Sequence, residues 1–384
     1  MDSASLLERL VAFPTVSTAS NLDLIGFVES WLSERGFRMT RMPDETGRKA
    51  NLFASLGPDT GGGILLSGHT DVVPVEGQAW TSDPFRLARR GDRLFGRGTA
   101  DMKGFIACSL RAADVAAKRR LVAPLRLAFS HDEETGCIGV RPMLERLRKE
   151  GIRPDFAIVG EPTSMRIATG HKSKLALRAT CCGRAAHSAL APTGLNAIHL
   201  ATDFVARLRT RQAAIAEGDA MDTGFEVPYT TIHVGKIAGG TVVNIVPDRC
   251  VVDFEIRSAG GDDPHRLLEA VAADAAELAV AARRRAAESD IRVELTGGYP
   301  GLAEPEDSAA VRSLAALVDD PSPIKVDFGT EAGLYREALA IPVVVCGPGS
   351  MSEGHKPDEF VTLDQLERCD RLMDRLIDRL TVNV

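Results

Sequence analysis

Three short apolar runs, "GILLSG" (63–68), "LRLAFS" (125–130) and "FAIVG" (156–160), all run straight into the same kind of polar residue. The first leads to His69-Thr70-Asp71, the second to His131-Asp132-Glu133-Glu134, and the third to Glu161-Pro162-Thr163. Runs of this length read as buried strands, as does "PVVVCG" (342–347), and helical segments at about 104–118 and 141–150 alternate with them. Such alternation predicts an α/β layer with a mostly parallel sheet. Adjacent carboxylates repel one another, and burying one without a partner is costly. Acids gathered at the ends of core strands are either ordinary solvated turns or are held together by positive charge that the sequence does not itself supply. The carboxyl ends of strands are also where open α/β sheets hold their ligands.

The pattern changes near residue 173. "KLALRATCCG" (174–183), "YTTIHVGKIAGG" (229–240) and "CVVDFEIRS" (250–258) alternate like half-exposed strands, with long helical stretches at 194–216 and 264–289. One antiparallel sheet carrying two helices, an α+β (ferredoxin-like) insertion, is the expected arrangement. The predicted organisation is a catalytic domain in two parts, 1–173 and 290–384, interrupted by a domain over 174–289. At the N-terminus, Leu6, Leu7, Leu10 and Val11 predict a helix stopped near Pro14, and a second helix through Leu24–Leu32 is capped by Gly36.

The net charge of −7 argues against a nucleic-acid surface or a polybasic membrane patch. No run of 18 apolar residues predicts a membrane span, and the acidic amphipathic N-terminus is unlike a signal peptide, so the expected location is cytoplasmic. The seven cysteines have no regular spacing, no CxxC pair, and two of them, Cys181 and Cys182, are adjacent; all seven read as structural thiols.

To the residues at the strand ends can be added Asp101, in "GRGTADMKGF" at the start of a helix, and His355, in "EGHKPDEF" on a loop after the last strand. Two histidines and three carboxylates form a sensible ligand set for two divalent metals, since imidazole and carboxylate both suit zinc and a carboxylate can bridge two ions. Glu133 and Glu134 are adjacent, so their side chains diverge and cannot easily both bind one ion; adjacency alone does not decide which one ligates. His131, by strand phase, points away from Asp132, and Asp132 has no assignable role.

"SGHTDVVPV" (67–75), "GRGTADMKGF" (96–105), "DEETG" (132–136), "GEPT" (160–163) and "GHKPDE" (354–359) resemble, in order, the motifs of the co-catalytic zinc aminoacylase and carboxypeptidase family. That family includes acetylornithine deacetylases, succinyl-diaminopimelate desuccinylases and glutamate carboxypeptidases. Segments 171–198, 227–240, 244–250 and 329–335 are most similar to its acetylornithine deacetylase branch. The resemblance implies a zinc-peptidase-like fold with a dimerisation/lid insertion, and two zinc ions, with cobalt as a possible substitute. It implies that Asp101 bridges the ions, that His69 and Glu161 complete one site, and that Glu134 and His355 complete the other. The peptide after Asp101 is then expected to be cis, Glu133 to be the general base, and Asp71 to fix the tautomer and orientation of His69.

The same resemblance implies that His187 reaches a neighbouring subunit's active site to stabilise an oxyanion, which makes a homodimer the expectation. Ala189 stands where the family usually has a second Ser. Asn244 and Arg257 match positions expected to hold the substrate. Glu331 in "GTEAG" is the candidate for the distal amine of an ornithine-like substrate. The expected reaction is hydrolysis of the acetyl amide of N2-acetyl-L-ornithine. The rivals are a desuccinylase, a broader N-acyl-amino-acid deacylase or dipeptidase, and a non-catalytic binding protein of the same fold. Bland readings accompany two of these residues: a salt bridge on the sheet face for Arg257 and a purely structural role for Glu331.

Overall fold

A computed structural model describes residues 1–259 and 262–381. The chain divides into two compact units, one of Met1–Gly170, Leu302–Val326 and Thr330–Val384, the other of His171–Gly301 and Asp327–Gly329. Among the described residues no helix is long and apolar enough to cross a membrane.

The first unit is built on a sheet that counts nine strands among the described residues. Its centre is parallel: Ile64–His69 lies between Leu125–Ser130 and Phe156–Val159, and Val343–Val345 extends the parallel set beyond Phe156–Val159. These strands are buried along their whole length, which is why they read as continuous apolar runs and not as alternating ones. The flanks are antiparallel. Ala50–Leu56 pairs with Leu125–Ser130 and with Arg38–Pro43, while Val345 faces Ala168 on the far side. Register places His69 opposite Ser130 and Ser67 opposite Val159, so the polar residues that follow leave the sheet along one edge.

Helices Ser3–Val11, Lys103–Ala116 and Leu363–Leu380 share one core with these strands, through Leu6, Leu10, Phe105, Leu110, Leu127, Ile158, Leu372 and Leu376. The last helix shows how its sequence forces this. Leu366, Cys369, Leu372, Met373, Leu376, Ile377 and Leu380 recur at helical spacing and are all buried, and the Thr362 hydroxyl caps its first turn by accepting from the Gln365 amide. Gly36 follows the Leu22–Ser33 helix with φ +76, as its predicted capping role requires.

The second unit holds a four-stranded antiparallel sheet in the order Thr231–Gly239, Arg249–Arg257, Lys174–Cys182, Asp290–Tyr299. Burial alternates residue by residue along Lys174–Cys182 and Arg249–Arg257. The inward set, including Leu177, Ala179, Val252 and Phe254, packs under helices Ala197–Ala216 and Pro264–Arg283 through Phe204, Leu208, Val271 and Ala275. This is the expected α+β insertion, with one difference at its end. The sequence reading closes the insertion at 289, whereas the strand Asp290–Tyr299 pairs with Lys174–Cys182, so the chain returns to the first unit only at Leu302. That strand takes the side of Lys174–Cys182 that Arg249–Arg257 leaves unpaired.

Gly160, just before Glu161, has no room for a side chain: a Cβ there would lie 1.9 Å from the Phe105 ring. Gly26 sits inside the Leu22–Ser33 helix with nothing within 4 Å of the same position. Gly160→Ala should therefore lower stability by about 3 kcal/mol, and Gly26→Ala should raise it by about 0.5–1 kcal/mol. Chemical denaturation of both variants beside the parent tests the pair.

Candidate metal centre

Each proposed ligand leaves the first unit's sheet edge or an adjoining loop. His69 ends its strand, Asp101 precedes the Lys103–Ala116 helix, Glu133 and Glu134 turn out of Leu125–Ser130, and Glu161 follows Phe156–Val159. His355 lies between Val343–Val345 and Phe360–Thr362, in left-handed backbone at φ 62. The Asp101–Met102 peptide is cis.

The structure brings these side chains together. His69 Nε2 lies 3.0 Å from Asp101 Oδ1 and 3.6 Å from Glu161 Oε1. His355 Nε2 lies 3.1 Å from Asp101 Oδ2 and 3.1 Å from Glu134 Oε2. Asp101 thus turns one oxygen to each histidine. The Nδ1 of His69 faces the main-chain carbonyl of Asp71 at 2.9 Å, so a neutral ring carries its proton there and leaves the Nε2 lone pair for a ligand. Potential ligand atoms of His69, Glu133 and Glu161, and of His69, Asp101 and Glu134, lie within 4.8 Å of one another.

Distance alone does not separate the two glutamates, but their partners do. Glu133 Oε1 accepts from the Cys137 thiol at 3.3 Å. Glu134 Oε2 faces His355, and its Oε1 is buried without a hydrogen-bond partner. A buried carboxylate oxygen with no donor is costly unless a cation meets it.

The electrostatics say the same. Burial, then the charge of Asp101, pushes Glu161 well above the usual carboxylate range. Burial, with Glu134, Glu331 and Asp101 adding repulsion, does the same to Glu133. Burial and Asp101 raise Glu134. Burial opposes the charge on Asp101 as well, but the two imidazoles outweigh it and hold that carboxyl below its ordinary value. Asp101 and Glu134 in turn push His355 up to about 10. Without a cation, protons must make up the charge that this cluster lacks. Two imidazole nitrogens and the oxygens of three carboxylates, one of them unpartnered, fit divalent ions of the zinc type.

The supporting residues differ in part from expectation. The Asp71 carboxylate stands 3.7 Å from His69 Nδ1, so the ring is oriented by the Asp71 carbonyl and not by the side chain. That side chain accepts instead from the amides of Glu133 (3.1 Å) and Glu134 (3.3 Å) and from the Ser17 hydroxyl (2.7 Å). His131 does not point away from Asp132: its Nδ1 is 3.1 Å from Asp132 Oδ2. Asp132 takes a left-handed conformation at φ 57, which breaks the strand alternation on which that expectation rested.

Glu359 and Arg97 went unassigned, although both lie in the matching motifs. Glu359 Oε1 accepts from the amides of Ala100 (2.9 Å) and Asp101 (3.1 Å), and Arg97 pairs with Oε2 at 2.6 Å, both side chains buried. The pair ties the loop that carries Asp101 to the segment that follows His355. Glu331 is buried at the start of Ala332–Leu339 with Oε1 unpartnered, and burial pushes it up to about 7.

The remaining site residues belong to the second unit. His187 is exposed, and its Nδ1 accepts from the Ala189 amide at 3.1 Å, which leaves a neutral ring's proton on Nε2. Asn244 is exposed, and its main-chain carbonyl accepts from the Ser188 amide. Arg257 Nε donates to Glu255 at 2.9 Å and its guanidinium reaches the Tyr299 hydroxyl at 3.3 Å, the salt bridge of its bland reading. His171 is buried; its Nδ1 meets the Lys172 carbonyl at 3.0 Å, and burial lowers it to about 4.

Known proteins give the centre its context. An acetylornithine deacetylase of Yersinia pseudotuberculosis is 33% identical over 97% of this chain and 96% of its own length. One of Myxococcus xanthus is 36% identical over 97% and 95%. The crystal structure of an M20 family metallo-carboxypeptidase from Sulfolobus solfataricus superimposes with a TM-score of 0.78 at 17% identity, covering 98% of this chain and 99% of that one. The profile of Peptidase family M20/M25/M40 matches residues 65–379, and the chain belongs to that family.

Proposed function

We propose that this protein hydrolyses the acetyl amide of N2-acetyl-L-ornithine to L-ornithine and acetate, a step of arginine biosynthesis. The observation that carries this reading is the pairing of Asp101 with both His69 and His355, beside two full-length relatives named acetylornithine deacetylase. His69, Asp101 and Glu161 would hold one divalent ion, and Asp101, Glu134 and His355 a second, with zinc the expected metal. Bound there, such ions polarise a carbonyl oxygen and lower the pKa of water from 15.7 towards about 7.

The protein's own groups supply the rest. Glu133, held apart from the ligand Glu134 by its contact with Cys137, takes a proton from the attacking water and delivers it to the departing amine. Asp71 holds both glutamates in place through their amides. His187, whose Nδ1 accepts from the Ala189 amide so that a neutral ring carries its proton on Nε2, is suited to donate to the developing oxyanion in a neighbouring subunit's site. Asn244 and Arg257 would hold the substrate carboxylate, Arg257 by exchanging its Glu255 partner. Glu331 offers an unpartnered buried oxygen to the distal ammonium and disfavours a second carboxylate there, as in succinyl-diaminopimelate.

A homodimer through the second unit is part of this reading. The edge strand Thr231–Gly239 exposes Ile237, and the following loop exposes Val242, Val243 and Ile245. An uncovered sheet edge flanked by apolar side chains is a natural pairing surface. A cytoplasmic location suits the seven cysteines, all of them unpaired.

With metal content measured on the same sample, a panel of N-acyl substrates should show acetylornithine turned over fastest; faster turnover of succinyl-diaminopimelate would overturn the assignment. Glu133→Gln should keep its bound metal while kcat falls by at least ~10²-fold. Asp101→Asn should lose metal as well as activity. Val243→Glu should shift the protein towards monomer in sedimentation.

A further inference from the structure

We propose that Lys49 and Asp132 are positioning residues that close a polar ring around the Glu133–Glu134 turn, so that one glutamate keeps its ligand position and the other its place as base. The inference rests on the catalytic reading above, but its geometry stands apart from any substrate. Lys49 lies at the end of "TGRK", outside every motif that marks the centre.

The ring can be followed atom by atom. Lys49 Nζ donates to the Ser17 carbonyl and pairs with Asp132 Oδ1. The chain runs from Asp132 into Glu133 and Glu134, whose amides donate to Asp71 Oδ1 and Oδ2 at 3.1 and 3.3 Å. Asp71 Oδ2 accepts from the Ser17 hydroxyl at 2.7 Å, which returns the circuit to Ser17. Ser17 is itself pinned, its amide donating to the Val72 carbonyl at 3.1 Å. The second oxygen of Asp132 is taken by His131 at 3.1 Å, so both are committed.

Two features make the Lys49 end matter. Asp132 stands in left-handed backbone at φ 57, a conformation uncommon outside glycine that Asp enters most readily when its short side chain is held by hydrogen bonds. The Lys49 and Asp132 side chains are 17% and 12% exposed, so solvent screens their attraction weakly. Asp71 grips the turn by its amides from one side; Lys49 grips the preceding residue from the other. With only Asp71 in place, the turn can pivot about its two amide bonds, and the side chains of Glu133 and Glu134 move with it.

The test uses Lys49→Met, Asp132→Asn, their combination, and Lys49→Arg as the conservative replacement. Metal-free protein is titrated with Zn²⁺ by calorimetry, and kcat and KM are measured separately. Lys49→Met and Asp132→Asn should each weaken the second Zn²⁺ by about 10–100-fold, lower kcat comparably and leave KM within about twofold. The double variant should be no worse than either single one, because both break the same ring, and Lys49→Arg should recover most of the loss.

Arg111→Met, which breaks the distant Arg111–Asp374 pair, is the stability control, with no change in ion affinity. Parental ion affinity and kcat in both single variants would overturn the proposal. So would additive losses in the double variant, or ion-affinity losses no larger than those of Arg111→Met. If the parent turns over no N-acyl substrate while the Zn²⁺ titrations behave as stated, the catalytic reading falls and the ring stands.

Discussion

The carboxylate of Asp101 divides its oxygens between His69 and His355, and much of the first unit is arranged to keep it doing so. A buried carboxylate shared by two imidazoles is stable only if its backbone is fixed and its neighbours accept the crowding. The backbone is fixed by Glu359, which takes the amides of Ala100 and Asp101 and is itself neutralised by buried Arg97. The crowding is severe, since Glu133, Glu134 and Glu161 all have their charges disfavoured first by burial and then by neighbouring carboxylates, Asp101 acting on all three. An apolar core tolerates such a cluster at the mouth of a parallel sheet because the strand ends open onto loops that can be shaped around an ion.

The division of labour proposed for the two adjacent glutamates draws on their surroundings. Chemically alike, Glu133 and Glu134 meet different partners: a thiol for the first, an imidazole for the second, whose other oxygen is buried without a donor. Their shared backbone is gripped by Asp71, whose carboxylate serves the turn while its carbonyl orients His69. One residue thereby couples two strand ends, and a shift of either would be felt at both.

Much of this was legible in the sequence, for a physical reason. His69, Glu134 and Glu161 follow continuous apolar runs, and such runs form the buried centre of a parallel sheet whose ends must converge. The alternation of Lys174–Cys182 and Arg249–Arg257 likewise announced a sheet covered on one face. What stayed hidden depends on long-range pairing or on local backbone reversal. Asp132 defeats strand phase by turning left-handed, so its contacts with His131 and Lys49 could not be read from alternation. The fourth strand of the insertion lay beyond the predicted boundary because its partner, Lys174–Cys182, is far away in the chain.

The split of the first unit around the second has a consequence for how the protein is made. The proposed ligands begin at His69 and end at His355, with all of His171–Gly301 between them. A growing chain therefore exposes His69, Asp101, Glu134 and Glu161 long before His355 leaves the ribosome, and before the Leu363–Leu380 helix can close the shared core. The insertion has its own core and can fold in the interval. The centre is thus completed late, when the closing segment that supplies His355 also delivers Glu359 to the Asp101 loop. An interrupted chain would carry the acids of the cluster without the residues that hold them in order.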